Sequence, residues 1–207
     1  MKNKLGLEIE VKFYVTSLPE VERKVQELGG LIVQERVFES NLRYDTADRS
    51  LSKERRVLRL RKDHQTILTY KGAAEADKPV SVRQEFEVIV DDLDSAGAIL
   101  AALGYEVITR YEKYRSIYRL MGTLVTLDEL PYGKFVEIEG ESADEIQKVA
   151  RNLNLSWKER IASSYILLFE NLKKNHVGWE DKSLTFEDLA GVEVMPDELG
   201  VCPADIG

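Results

Sequence analysis

The chain has 207 residues, a formal net charge of −8, 43% hydrophobic and 32% charged residues, and one cysteine. That is enough apolar material for one closed domain, with no apolar run near the ~20 residues of a membrane span. The acidic balance argues against broad attraction to nucleic acid or anionic membrane. Cys202 alone cannot form an internal disulfide, and Met1-Lys2-Asn3-Lys4-Leu5-Gly6 lacks an apolar leader, so a reducing, cytoplasmic location is expected.

Alternation predicts a long strand over 5–15. A helix follows over 18–28, with Pro19 in its first turn and Gly29-Gly30 beyond its end. Residues 31–39 read as strand and 41–53 as irregular, with a helical turn near 47–51. A hairpin is predicted from 57–62 and 66–71 across Asp63-His64-Gln65, then a loop over 72–80 containing Pro79. A strand over 82–90 and a helix over 94–103 come next. Strands over 107–120 and 123–127 join through Met121-Gly122, and 135–140 is the last strand. Helices are expected over 143–153 and 157–172, and 173–207 reads as an acidic tail of unknown role.

The charges inside these strands carry the functional signal. In Leu7-Glu8-Ile9-Glu10-Val11-Lys12-Phe13, the three charged groups share one face and the apolar residues the other. The same spacing recurs as Arg59 and Arg61, as Arg83, Glu85 and Glu87, as Lys113 and Arg115, and as Glu137 and Glu139. Lys71 ends one strand and Asp128 another. An ordinary antiparallel sheet also alternates, with its polar face in water. These strands instead carry pairs of like charges, whose repulsion must be offset. A cation offsets paired carboxylates and a polyanion offsets paired guanidinium groups, so one site holding both accounts for every strand.

The geometry that builds such a site is a closed β-barrel of about eight strands with a charged lumen, its outer faces packed against surrounding helices. Glu8, Glu10, Glu137 and Glu139, with Asp128, Glu85 and Glu87 nearby, suit one or two Mg²⁺ or Mn²⁺ ions. Arg59, Arg61, Lys71, Lys113 and Arg115, with Lys12 and Arg83, suit phosphate oxygens. Acids for metal and bases for phosphate are the combination phosphoryl transfer requires.

These residues resemble the CYTH superfamily, the triphosphate tunnel metalloenzymes, over about residues 5–172. The resemblance rests on the ExExK run Glu8-Ile9-Glu10-Val11-Lys12, then Tyr44-Asp45-Thr46, Leu58-Arg59-Leu60-Arg61, Thr69-Tyr70-Lys71-Gly72 and Arg83-Gln84-Glu85-Phe86-Glu87. Glu112-Lys113-Tyr114-Arg115, Leu127-Asp128, the block Gly133 to Gly140, and Ser164-Tyr165 complete it in order. It implies an α+β fold, an eight-stranded antiparallel closed β-barrel forming a tunnel, with a metal-bound triphosphate and cleavage of a phosphoanhydride. One metal would sit on Glu8, Glu10 and Glu137 or Glu139. A second, near Asp128 and Glu139 or Glu85 and Glu87, would activate water. Lys12 would orient the nucleophile or the leaving group.

The preferred reading is a triphosphatase acting on a small-molecule triphosphate, as a monomer or homodimer. A class IV adenylate cyclase forming cyclic AMP and pyrophosphate needs the same acids and bases. A non-catalytic polyphosphate or nucleotide sensor would be expected to lack a metal ligand, and here the acidic set is complete. His64, His176 and Cys202 read as solvated or inert, Trp157 and Trp179 as packing. Asp45 reads equally as a tunnel group or a helix cap, and Tyr165 as packing or as a cover over the tunnel mouth.

Overall fold

The computed structural model describes residues 6–75 and 78–205. Leu5 of the first predicted strand, and Ala76 and Asp77 of the predicted loop, lie outside the described residues. Eight strands close into a ring: β1 (Leu7–Val15), β2 (Leu31–Thr46), β3 (Val57–Lys62), β4 (Thr66–Lys71), β5 (Ser81–Val90), β6 (Tyr105–Leu120), β7 (Thr123–Leu130) and β8 (Gly133–Glu139). Neighbours run β5-β4-β3-β2-β6-β7-β8-β1, all antiparallel, and β1 pairs back onto β5 from Leu7↔Gln84 to Glu10↔Ser81. Helices α1 (Leu18–Glu27), α2 (Ser50–Lys53), α3 (Leu93–Ala102), α4 (Ala143–Asn152) and α5 (Tyr165–Lys173) flank the ring. Among the described residues no helix is long and apolar enough to cross a membrane.

Because the lumen is charged, the hydrophobic core lies outside the strands. Val11, Phe13 and Val15 of β1 join Val125, Val136 and Ile138 under Val21 and Val25 of α1 and Ile146 and Val149 of α4. Tyr44, Leu58 and Leu60 pack with Leu100 of α3. Polar N-caps start the helices where their apolar faces begin: Ser17 Oγ accepts from the Glu20 amide, Asp92 from Ser95, Ser142 from Glu145 and Ser164 from Leu167.

The structure extends β2 through Thr46, where an irregular stretch was expected. Its partner β6 is equally long, and pairing from Leu31↔Arg119 to Thr46↔Tyr105 satisfies the backbone through three register shifts. The single helix expected over 157–172 is instead a 3₁₀ turn (Trp157–Glu159), a short strand β9 (Arg160–Ile161) and α5. Here tertiary pairing overrides helical periodicity, because β9 covers the β1 edge opposite Lys12 and Phe13 that β5 leaves open.

The segment after Lys173 folds onto one end of the barrel. Alternation carries the inward face of β1 on to Tyr14, of β6 to Tyr111, of β7 to Leu130 and of β8 to Phe135. These four form a second buried cluster with Tyr165, Phe169 and Leu172 of α5 and with Leu184, Leu189 and Leu199. Leu184 pairs with β6, its amide donating to Arg110 O at 3.2 Å and its carbonyl accepting from Glu112 N at 2.9 Å. Asp205 then accepts from Thr16 N and Ser17 N near the end of β1. The polar lumen therefore ends on an apolar plug. Leu184 is fully buried, so Leu184→Ala should cost about 2–5 kcal/mol, read as a lowered midpoint in urea unfolding.

Candidate active site

Strand register brings the charged residues together. Glu8 faces Arg83 across β1–β5, and Lys71 faces Glu85 across β4–β5. Glu10 faces Glu139 and Lys12 faces Glu137 across β1–β8. Arg43 faces Arg59 across β2–β3, Glu39 faces Lys113 across β2–β6, and Arg115 faces Asp128 across β6–β7. All but Glu39 and Asp128 line one cavity of about 260 Å³, to which Arg61, Glu87, Tyr111 and Tyr165 also contribute.

The wall is a nearly continuous chain of buried ion pairs. Lys71 Nζ donates to both Glu8 oxygens at 2.7 and 2.8 Å, and Arg83 bridges Glu8 at 3.1 Å and Glu10 at 3.2 Å. Lys12 lies 2.5 Å from Glu10 and 3.1 Å from Glu137. Arg59 donates to Tyr111 Oη at 3.0 Å and to Thr69 Oγ1 at 3.3 Å, and Thr69 in turn donates to Glu87 at 3.1 Å. Such pairs survive burial because each charge has a partner close by.

Charge balance differs around the ring. Burial alone would raise the Glu8 carboxyl, but Lys71 and Arg83 outweigh it and hold the pKa well below the usual range. Burial likewise opposes ionisation of Glu137, and Lys12 and Arg115 overcome it. Glu85 goes the other way, pushed up to about 8, since burial and the nearby Glu8 charge outweigh Lys71. Glu139 is also raised, chiefly by burial. Burial lowers Arg43, which sits among Arg59 and Arg83.

Every residue predicted for the site lines this cavity except Asp128. Asp128 is fully buried at the edge of the apolar plug, where Arg115 Nε donates to it at 2.6 Å, Lys113 at 3.2 Å and Tyr165 Oη at 2.8 Å. Its oxygens are thus committed to two cations and a phenol behind the wall. Asp45 is a cap: it accepts from Leu51 N and Ser52 N, both at 2.9 Å, and fixes α2. Sequence reasoning missed Glu39, Asn41 and Arg43, although their two-residue spacing leads to Asp45 in the same strand and carried the signal. Tyr111 was missed too, two residues before Lys113.

Among the described residues no three carboxylates are gathered at metal-binding spacing. The donor set nevertheless suits a hard divalent cation: Glu8, Glu10, Glu85, Glu137 and Glu139 converge on one cavity, and two of them hold protons more tightly than usual. A raised carboxyl pKa makes the folded protein bind more protons than the unfolded chain, so stability falls as pH rises between the two values. Metal-free protein should lose thermal stability from about pH 5 towards pH 8, and Glu85→Gln should flatten that decline in melting curves. Added Mn²⁺ should raise the melting temperature most at the alkaline end, where it replaces the bound proton.

The CYTH domain family model matches residues 6–165. Among solved structures, a candidate adenylate cyclase from Vibrio parahaemolyticus is 26% identical with a TM-score of 0.71, covering 79% of this chain and 98% of its own. The PH1819 protein of Pyrococcus horikoshii OT3 is 30% identical with a TM-score of 0.66, over 79% and 98% of the two chains. HpAC1 of Hippeastrum, a candidate adenylyl cyclase with a dominant triphosphatase activity, shares the fold at 18% identity and a TM-score of 0.61, over 84% and 99%. No curated protein matches the chain. A charged lumen closed by eight strands, the ordered motifs that line it and the match over residues 6–165 agree: the chain belongs to the CYTH domain family.

Proposed function

We propose that the protein is a divalent-cation-dependent triphosphatase that hydrolyses inorganic triphosphate, or a small triphosphorylated compound, inside the tunnel. The observation that carries this reading is the pair of buried Nε atoms of Arg43 and Arg59, which have no hydrogen-bond partner among the described residues. Each buried donor left unpaired costs about 1–3 kcal/mol, and phosphate oxygens are the acceptors that guanidinium forks match best. The cavity of about 260 Å³ is smaller than most organic-ligand sites. That suits a compact polyanion.

Glu8, Glu10, Glu137 and Glu139 would hold Mg²⁺ or Mn²⁺, which supplies Lewis acidity and neutralises phosphate charge. Arg59, Arg61, Lys113 and Arg115 bind phosphate oxygens and spread the charge that develops on them. Lys12 is held protonated because Glu10 and Glu137 outweigh its burial, so it remains a fixed cation beside the leaving group. Water attacks the terminal phosphorus in line as the bridging P–O bond breaks. Its proton passes to a Glu87 oxygen, and the pyrophosphate departs as an anion whose charge Lys12, Lys113 and Arg115 offset. Asp128 positions Arg115, Lys113 and Tyr165 rather than touching substrate.

Product analysis with Mg²⁺ or Mn²⁺ on inorganic triphosphate, ATP and thiamine triphosphate tests the proposal. Orthophosphate should appear fastest from inorganic triphosphate; cyclic AMP with equal pyrophosphate from ATP would replace it with the cyclase reading. Arg59→Ala should lower kcat/KM by about 10²–10³, and Glu10→Gln should abolish turnover, both with an unchanged circular dichroism spectrum. Asp128→Asn should reduce kcat more than it raises KM, because it misaligns cations that act on the transition state.

A further inference from the structure

Tyr165 is the last residue of the family match, and it lines the lumen where three charged groups meet it. Its hydroxyl donates to Asp128 Oδ2 at 2.8 Å. Its ring centroid lies 5.5 Å from Lys12 Nζ and 5.5 Å from Lys113 Nζ. A ring face offsets part of the repulsion between two ammonium groups brought to one place. Lys113 also has two buried carboxylates within reach, Asp128 at 3.2 Å and Glu39 at 3.5 Å. Burial, with the Asp128 and Glu137 charges beside it, pushes the Tyr165 phenol well above its usual range, so it stays a donor at neutral pH. Packing alone would be served as well by phenylalanine.

The side chain is held from the far end of the chain. Tyr132 Oη donates to the Tyr165 carbonyl at 2.9 Å, and Phe135 packs edge-on against the ring at 5.1 Å between centroids. Phe169 and Leu172 of α5 are buried with Leu184, Leu189 and Leu199. Residues 174–205 reach both strands that carry the two lysines. Leu184 pairs with β6 at Arg110 and Glu112, beside Lys113, and the Ala204 amide donates at 2.8 Å to the carbonyl of Tyr14, two residues beyond Lys12 on β1. This segment lies beyond the family match, yet it ties β1 to β6 behind Tyr165.

We propose that Tyr165 is a positioning residue for the tunnel reaction, fixing Lys12 and Lys113 about its ring and Asp128 through its hydroxyl, and that residues 174–205 clamp it there. This rests on the triphosphate reading of the lumen and adds to it a part for the C-terminal segment. Because the phenol and Lys113 share Asp128 Oδ2, the phenol keeps that ammonium from being drawn to Asp128 and away from the lumen.

Steady-state kinetics on inorganic triphosphate, with melting curves alongside, tests the proposal. Tyr165→Phe keeps the ring and the plug but loses the hydroxyl, so kcat should fall about tenfold at nearly constant KM. The double variant Tyr165→Phe/Asp128→Asn should be no slower than Asp128→Asn alone, since one residue acts through the other. Leu184→Val, which trims the clamp outside the lumen lining, should lower kcat in the same direction. An unchanged kcat in Tyr165→Phe or in Leu184→Val, with only the melting temperature lowered, would overturn the proposal. So would additive effects in the double variant, or a changed pH profile in Tyr165→Phe, which would make the phenol a proton donor to substrate. Titration calorimetry with tripolyphosphate keeps the two readings apart. Wild-type protein that binds tripolyphosphate but turns over no triphosphate would lose the catalytic reading and keep the positioning role if Tyr165→Leu binds about tenfold more weakly. Equal binding by Tyr165→Leu would remove that role.

Discussion

Pairing of β1 with β5 over four residues, Leu7–Glu10 against Ser81–Gln84, closes the ring, and the site depends on that closure. An open sheet of the same strands would leave Glu8, Glu10, Arg83 and Glu85 on a solvated face, where ion pairs are worth little. Closure removes them from water and makes each charge answer to its neighbours. Lys71 then serves Glu8, Arg83 bridges Glu8 and Glu10, and Lys12 bridges Glu10 and Glu137. The cost of burying so many charges is met by pairing within the ring and by apolar packing outside it.

That inverted arrangement explains how the rest of the chain is used. The helices have no lumen to fill, so α1, α4 and α3 cover outward-facing Val11, Phe13, Ile138 and Leu60. An apolar stretch of lumen lies where Tyr14, Tyr111, Leu130 and Phe135 point inward, and α5 with residues after Lys173 seals it. The plug also bears on the chemistry. Tyr165 belongs to it, yet its hydroxyl donates to Asp128, which holds Arg115 and Lys113 towards the cavity. Stability and site geometry meet at that carboxylate.

The imbalance of charge around the wall gives the site its direction. Carboxylates gather on β1, β5 and β8, where Glu85 and Glu139 cling to protons, and guanidinium groups gather on β2, β3 and β6, where Arg43 and Arg59 keep unpaired donors. One side suits a cation and the other an anion, so a metal phosphate complex complements both.

Period-two alternation by itself determined the strands, the inward set of charges and the ordered motifs that mark the family, because side-chain direction in a strand is fixed locally. Glu8, Glu10, Lys12, Arg59, Arg61 and Glu137 were legible for that reason. Tertiary structure decided what depends on partners distant in the chain. The edge of β1 turned 160–161 from helix into strand, and the length of β6 drew β2 through to Thr46. Asp128 reads as a ligand from its place in a motif; the fold surrounds its oxygens with Arg115 and Lys113 of β6 and Tyr165 of α5. The residues after Lys173 read from sequence only as an acidic tail of unknown role, because they are polar and aperiodic. Only the pairing of Leu184 with β6 and the apolar end of the lumen show where their few leucines belong.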